Sequence, residues 1–138
     1  MLLIGISTTD SEEDVKKLSN KIVSLRVFES ESPKSTSEEK YSGKPWSKSL
    51  LDDPSLSILS VSQFTLYGTI KKGTKPDFHK AAKGKVAKEL YDTFLSQLKV
   101  ALGDDSRVQD GKFGEMMDVS LVNEGPVTIV WDTHDNTL

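Results

Sequence analysis

Two short segments combine side chains and backbone groups that could carry out chemistry. The first is Ser62-Gln63-Phe64-Thr65-Leu66, which follows an apolar run that includes Ile58 and Val61. Hydroxyls and backbone N–H groups at the end of a strand can face a cleft and stabilise an oxyanion. The composition alone favours a plainer interpretation, in which these groups satisfy the backbone and water at an ordinary strand end.

The second segment is Asn123-Glu124-Gly125-Pro126-Val127-Thr128. Its simplest interpretation is a hairpin turn. A Gly-Pro pair that leads straight into an extended run is nevertheless unusual, because proline cannot donate to a strand ladder. The other interpretation is a cis peptide bond between Gly125 and Pro126. Their two carbonyls would then both point outward as a rigid pair of acceptors.

Other reaction centres find little support in the sequence. The chain has two histidines and no cysteine, which argues against a zinc site. His79 lies among lysines, where a solvated or phosphate-facing role is favoured over a general base. His134 lies near the end of the chain, where solvation is favoured over catalysis. Phosphate loops, dinucleotide glycine patterns and a serine nucleophile elbow are also absent. We therefore predict a function without metal or cofactor.

Composition indicates one globular domain over residues 1–138. Hydrophobic residues make up 36% and charged residues 28%, and the lack of cysteine fits a reducing, cytoplasmic compartment. No apolar run approaches the roughly 18 residues of a membrane span. Residues 2–6 are too short for a signal peptide and have no basic flank. We expect no membrane partner.

Charge is unevenly distributed along the chain. The net charge is −3, which argues against a nucleic-acid partner when taken alone. Residues 71–88, however, hold seven lysines against one acid, Asp77, so this segment is +6 and the remainder is −9. A basic segment on an acidic body fits a protein that meets phosphates on one side.

The spacing of apolar residues predicts two main helices among short strands. The apolar face of the first helix is predicted to consist of Val15, Leu18, Ile22 and Leu25, and that of the second to include Val86, Leu90, Phe94 and Leu98. The first helix begins at Asp10 or Ser11, and the second covers residues 85–102 and ends at Gly103. Strands are predicted at residues 2–6, from residue 26, at residues 57–67, 117–122 and 127–131. Residues 29–49 are serine-rich and are predicted to form a surface loop. Residues 132–138 are predicted to form a frayed polar tail.

The two polar segments together resemble the signature motifs of the D-aminoacyl-tRNA deacylases. The similarity covers most of residues 2–129. It includes Leu18-x-x-Lys21-Ile22-x-x-Leu25-Arg26-x-Phe28, Lys72-Gly73-Thr74-Lys75-Pro76-Asp77-Phe78, Leu90-Tyr91-Asp92-x-Phe94 and the run from Gly111 to Asn123 that contains Lys112-Phe113-Gly114 and Met116-Met117. In the second of these motifs, Lys75 stands where the family has arginine.

The resemblance implies an enzyme that hydrolyses the ester between a D-amino acid, or glycine, and the terminal ribose of tRNA. It implies a homodimer in which Gly125-Pro126 enters the partner's pocket and rejects L substrates. Ser62, Gln63, Phe64 and Thr65 would line the reacting ester. Phe113 with Met116 or Met117 would shape the adenosine pocket. The tRNA would be bound by lysines, and our candidates are Lys71, Lys72, Lys75, Lys80 and Lys83.

Patterning and resemblance together predict an α+β single domain. Its mixed or antiparallel sheets would form a barrel-like core with two main helices. The family also has a first strand and hairpin before the counterpart of Leu2, so we expect residues 2–6 to lack the neighbouring strand that they have in the family. Either a misassigned start or a natural truncation would explain this, and truncation would expose an apolar edge.

Two questions stay open at the level of sequence. Thr65 could act as a nucleophile, or the 2′-hydroxyl of the tRNA and a water could do the chemistry. We prefer the second mechanism, because Thr65 has no evident base to activate it. The alternatives to an enzyme are a non-catalytic tRNA- or RNA-binding module and an inactive, truncated member of the family. The lysine-rich segment supports the binding module, but the chain lacks the paired surface aromatics that stack on bases.

Overall fold

A three-stranded parallel sheet forms the centre of the computed structural model, which describes residues 1–30, 43–71 and 73–135. The strands are β1 (Leu2–Ile4), β2 (Ile58–Ser62) and β3 (Val108–Asp110), in the order β1-β2-β3. Leu2 pairs with Ser60, and Ile58 pairs with Val108. Strand β2 is therefore central, and Ile58, Ser60 and Val61 are all buried.

The predicted α+β class with two main helices is confirmed, but the antiparallel and barrel-like arrangement is wrong. Each parallel pair needs a long crossover, and a helix lies in each one: α1 (Glu12–Ser24) between β1 and β2, and α2 (Gly84–Leu102) between β2 and β3. The strands of this sheet are three to five residues long and stand side by side in one open layer. Such a sheet has two edges and does not close.

Helix α1 begins and helix α2 ends where local chemistry predicts. The backbone N–H and hydroxyl of Ser11 donate to the Asp14 carboxylate at 3.0 and 2.9 Å, so Ser11 is the N-cap of α1. Helix α2 ends at Gly103, whose φ of 69° is favourable only for glycine. The two helices pack together, and Ser19 Oγ donates to Gln97 Oε1 at 2.8 Å between them.

The core lies between the helices and the sheet. Tyr91, Phe94 and Leu98 of α2 are almost completely buried. They pack in one cluster with Ile4, Val15 and other apolar side chains of β1, α1 and β2. Val86 and Leu25, expected on the apolar faces, are instead exposed: the buried stripe of α2 begins at Ala87, and Leu25 follows the end of α1.

Several predicted strands are shorter than expected or absent. The predicted strand at residues 57–67 ends at Ser62 and continues as a 3-10 helix, Phe64–Tyr67. The strand expected from residue 26 is reduced to a single bridge between Phe28 and Lys48. Residues 117–122 and 127–131 form no ladder among the described residues, and Val122 is 94% exposed. An alternating pattern makes a strand only where a neighbouring strand takes its hydrogen bonds.

Two further predictions concern loops and the membrane. Most of the predicted surface loop, residues 31–42 of 29–49, lies outside the described residues. The described tail residues 132–135 are not frayed, since Thr133 and His134 contact helix α1. Among the described helices, none is both long and apolar enough to cross a membrane.

Candidate functional site

Strand β2 delivers the first polar segment to the surface. Ser62 is the last residue of the strand and pairs with Ile4. The backbone N–H of Gln63 donates to the Ile4 carbonyl at 2.7 Å, and the chain then bends into the 3-10 helix Phe64–Tyr67. The first N–H groups of such a helix have no acceptor within it. Donors and hydroxyls therefore collect at this end of the buried strand.

The Thr65 hydroxyl is held by its neighbour Gln63. Gln63 Nε2 donates to Thr65 Oγ1 at 2.6 Å, and both groups are at the surface. The hydrogen bond recorded for this hydroxyl thus comes from an amide donor, not from a carboxylate or imidazole. A hydroxyl nucleophile normally needs an adjacent base. The geometry therefore favours a positioning role for Thr65.

Phe64 presents an aromatic ring beside the same segment. Its ring meets Phe78 edge to face, with the ring centroids 5.1 Å apart, and the residue stays 57% exposed. Gly68 lies against this pair, because a Cβ there would be 2.9 Å from both the Phe78 ring and the Thr65 carbonyl. The 3-10 helix and the start of the basic segment are thereby packed together.

The Gly125–Pro126 turn is exposed, and its peptide bond is cis. Gly125 has φ of 119°, and a Cβ on it would come within 2.9 Å of Val127 Cγ2. Only glycine fits there without strain. Asn123 Nδ2 donates to Thr128 Oγ1 at 3.1 Å across the turn. The turn is thus closed by its own side chains.

The three residues expected at an adenosine pocket are not placed alike. The ring of Phe113 lies 5.5 Å from the ring of Tyr91 and 5.9 Å from Lys88 Nζ. Met117 packs on Gly111, and its sulfur accepts from the Lys112 N–H at 3.3 Å. Met116 is 98% exposed. Phe113 and Met117 thus contact the body of the protein, whereas Met116 does not share these contacts.

The basic segment forms an exposed loop closed at its base. Thr69 and Asp77 exchange two backbone hydrogen bonds, of 2.8 and 2.9 Å. The four described candidates, Lys71, Lys75, Lys80 and Lys83, are all exposed, whereas Lys72 lies outside the described residues. By contrast, the other two described lysines of the segment, Lys85 and Lys88, form i,i+4 ion pairs with Glu89 and Asp92 on α2.

Sequence reasoning missed a buried hydrogen bond behind the site. Tyr91 Oη donates to Ser60 Oγ at 3.0 Å, and both residues are at most 1% exposed. Burial raises the pKa of Tyr91, so the phenol stays a donor. This bond ties α2 to the middle of β2, two residues before Ser62. A tyrosine on the buried face of a predicted helix was the available signal.

Sequence reasoning also missed a cleft beneath the C-terminal segment. Its lining includes Tyr67, Trp131 and Asp132 together with apolar residues of β1 and both helices. Burial, with the nearby charges of Asp10, Asp132 and Asp14, raises the pKa of Tyr67 to about 12. The cleft is therefore apolar inside and acidic at its mouth.

One group of described residues has side chains of metal-ligating type close together. Ligand atoms of Asp10, Asp14 and His134 lie within 4.8 Å of one another. His134 Nε2 is 3.0 Å from Asp10 Oδ1, and the other Asp10 oxygen accepts from the Ser7 N–H. Because the groups satisfy one another, we interpret them as a hydrogen-bonded ion pair.

Comparison with known proteins places the chain in a family. A model of the D-Tyr-tRNA(Tyr) deacylase family matches residues 1–132. A D-aminoacyl-tRNA deacylase of Candida glabrata is 53% identical over 133 residues, which is 96% of this chain and 80% of that protein. A D-aminoacyl-tRNA deacylase of Saccharomyces cerevisiae is 52% identical, over 96% of this chain and 81% of that protein.

Solved structures agree with this placement. The structure of a c-Myc DNA Unwinding Element Binding Protein has a TM-score of 0.77 at 43% identity, covering 92% of this chain and 76% of that one. A probable eukaryotic D-amino acid tRNA deacylase has a TM-score of 0.64 at 26% identity, covering 83% and 74%. The resemblance seen in the two polar motifs is confirmed, and the chain belongs to the D-Tyr-tRNA(Tyr) deacylase family.

Proposed function

We propose that this chain is a D-aminoacyl-tRNA deacylase, a hydrolase that cleaves the ester between a D-amino acid, or glycine, and the terminal ribose of tRNA. Its relatives carry this name over nearly its whole length. The observation that supports the activity most directly is the surface end of β2, where Gln63 and Thr65 are hydrogen-bonded beside backbone donors. Such an enzyme removes D residues before they reach the ribosome.

The mechanism we propose gives the bond-breaking step to the substrate and water. An aminoacyl ester is already activated, so positioning and oxyanion stabilisation suffice for a large rate increase. The 2′-hydroxyl of the terminal ribose assists the attacking water. Ser62, the Gln63–Thr65 pair and the ring of Phe64 hold the ester, and backbone N–H groups at the start of the 3-10 helix stabilise the oxyanion. The Gln63 amide donates to Thr65 Oγ1, which supports a role for Thr65 in holding the ester and not as the nucleophile.

Chiral selection in this proposal comes from the Gly125–Pro126 turn. A second copy of the chain would receive the turn in its pocket, where the two carbonyls accept the substrate's amino group and leave no room for an L side chain. Two observations support this role: the turn is exposed, and the Asn123–Thr128 bond makes it stiff. Apolar side chains flank it, among them Val122 at 94% exposure, and an exposed apolar patch is typical of an interface.

The tRNA would be bound by the basic loop and by the surface around Phe113. Lys71, Lys75, Lys80 and Lys83 are exposed, and Lys72 completes the set in the sequence. Phe113 and Met117 would contact the terminal adenosine, with Met116 at the rim. A cytoplasmic location stays a prediction.

Release of labelled amino acid from D-tyrosyl-tRNA and from L-tyrosyl-tRNA tests the proposal. We expect hydrolysis of the D ester alone, above the uncatalysed rate. Hydrolysis of both esters would contradict the chiral role of Gly125–Pro126. Tight tRNA binding without turnover would indicate the alternative, a nucleic-acid-binding module, which the similarity to a DNA unwinding element binding protein favours. Neither binding nor turnover would indicate an inactive family member.

A further inference from the structure

The segment after the Gly125–Pro126 turn is attached to helix α1 at one place. Residues 127–130 are exposed and form no ladder with any described strand. The next residue, Trp131, lies under two ammonium groups of α1, with its ring 5.9 Å from Lys17 Nζ and 5.7 Å from Lys21 Nζ. Contacts of this kind attract a cation to the face of the indole.

Three further contacts continue the attachment past Trp131. Lys17 Nζ donates to the Thr133 carbonyl. His134 Nε2 lies 3.0 Å from Asp10 Oδ1 and 3.7 Å from Asp14 Oδ1. Residues 131–134 are therefore attached to Asp10 and to helix α1 by polar and cation–π contacts, which together we call the C-terminal latch.

We propose that Trp131 and His134 are positioning residues, whose latch on α1 fixes the place of the Gly125–Pro126 turn, and that the latch weakens when His134 loses its proton. The inference rests on the proposed function, in which this turn discriminates between D and L esters. The latch would influence the discrimination between D and L esters through residues that do not touch the ester.

The length of the connection explains how the latch reaches the turn. Pro126 and Trp131 are five residues apart, so the chain between them spans at most about 17 Å. On the other side, Met117 packs on Gly111 and attaches the chain to the body before the turn. The residues between these two attachments are mostly exposed, so releasing Trp131 would free the turn to move.

The charges around His134 set the direction of the pH effect. Asp10 precedes α1, Asp14 and Lys17 lie on α1, and Asp132 lies on the tail itself; the phenol of Tyr67 stands beside these acids. The Asp10 hydrogen bond, then the charge of Asp14, raises the pKa of His134 above its ordinary 6.5. The latch is therefore complete below the ordinary pKa, and the stabilisation contributed by the His134 charge is lost as pH rises through the raised one.

A structural measurement tests the latch without any substrate. The chain has two tryptophans, so a Trp46→Phe background reports on Trp131 alone. We expect acrylamide quenching of Trp131 to increase as pH rises through the His134 transition. His134→Gln should show the high-pH value throughout, and His134→Lys, which keeps a cation, the low-pH value. His79→Gln is the matched control, and quenching of Trp131 in this variant should depend on pH as in the parent chain. If quenching of Trp131 in His134→Gln depends on pH as it does in the parent chain, the latch proposal is overturned.

Hydrolysis assays test the positioning role. The ratio of kcat/KM for D- over L-tyrosyl-tRNA, corrected for spontaneous hydrolysis, should fall about two- to fivefold over the same pH range, the worth of an exposed ion pair. His134→Lys should keep the higher ratio. If the D ester is hydrolysed but the ratio changes neither with pH nor on substitution of His134, the positioning role alone is refuted. No hydrolysis of either ester by the parent chain refutes the proposed function and the role together.

Discussion

Replacing Thr65 by alanine separates a nucleophile from a positioning group. Thr65 Oγ1 accepts from Gln63 Nε2 at 2.6 Å in an exposed position. Alanine removes that acceptor, and water can satisfy the released amide, so the loss is that of one hydrogen bond, about 0.5–1.5 kcal/mol. If this loss falls entirely on the transition state, kcat/KM for the D ester decreases about two- to thirteenfold.

A nucleophile would behave differently by several orders of magnitude. Removal of a serine nucleophile from a hydrolase costs about 10⁶ in kcat, and the residual rate comes from binding and the oxyanion site. The two mechanisms are thus separated by about a factor of 10⁴ or more. This gap is far larger than the context dependence of a single hydrogen bond.

The assay is single-turnover release of D-tyrosine from D-tyrosyl-tRNA with enzyme in excess. Thr65→Ser is the matched control because it keeps the hydroxyl, and the Tm of each variant checks folding. A loss of about 10⁴-fold in Thr65→Ala, with near-normal Thr65→Ser and unchanged Tm, would refute the positioning mechanism. Gln63→Ala provides a second check, because its effect and that of Thr65→Ala should not add if both remove one shared hydrogen bond.

Three further outcomes follow from the described contacts. Tyr91→Phe leaves Ser60 Oγ without its buried partner and should lower the free energy of unfolding by about 1–2 kcal/mol in urea denaturation; adding Ser60→Ala should recover part of the loss, and an unchanged midpoint would contradict the bond. Gly125→Ala meets both a φ of 119° and a 2.9 Å contact, so about 1–3 kcal/mol of strain should lower D-ester hydrolysis about five- to 160-fold, and full activity would count against a role of the turn. Lys75→Ala should raise KM for tRNA and reduce the slope of log KM against log salt concentration by about one. Lys85 is paired with Glu89 on α2, so Lys85→Ala should change KM and this slope little. Equal effects of the two substitutions would show that the loop does not bind phosphate.

The helices were predictable because their signals are local. Ser11 with Asp14, and Gly103 at the end of α2, are capping residues whose chemistry acts within one turn. The apolar stripe of α2 also predicted burial of Phe94 and Leu98 correctly. Val86 broke the stripe because the rotation of a helix against its neighbour depends on tertiary packing.

The strands were less predictable because a strand requires a partner. Residues 117–122 alternate as a strand should, yet Val122 is 94% exposed and no described strand pairs with this segment. Conversely, β3 is only three residues long and has little pattern, but it pairs with β2 through Val108 opposite Ile58. Pairing is a property of two distant segments, so alternation within one segment does not decide it.

The sequence by itself determined the family, the two polar motifs and the basic segment, because those are statements about residue order and composition. Only the tertiary structure decided that the sheet is parallel and open, that Gln63 donates to Thr65, and that Tyr91 bonds to Ser60. It alone brought His134 to Asp10, 124 residues away. Hydrogen bonds and ion pairs act over a few ångströms in space, and separation along the chain carries no information about that distance.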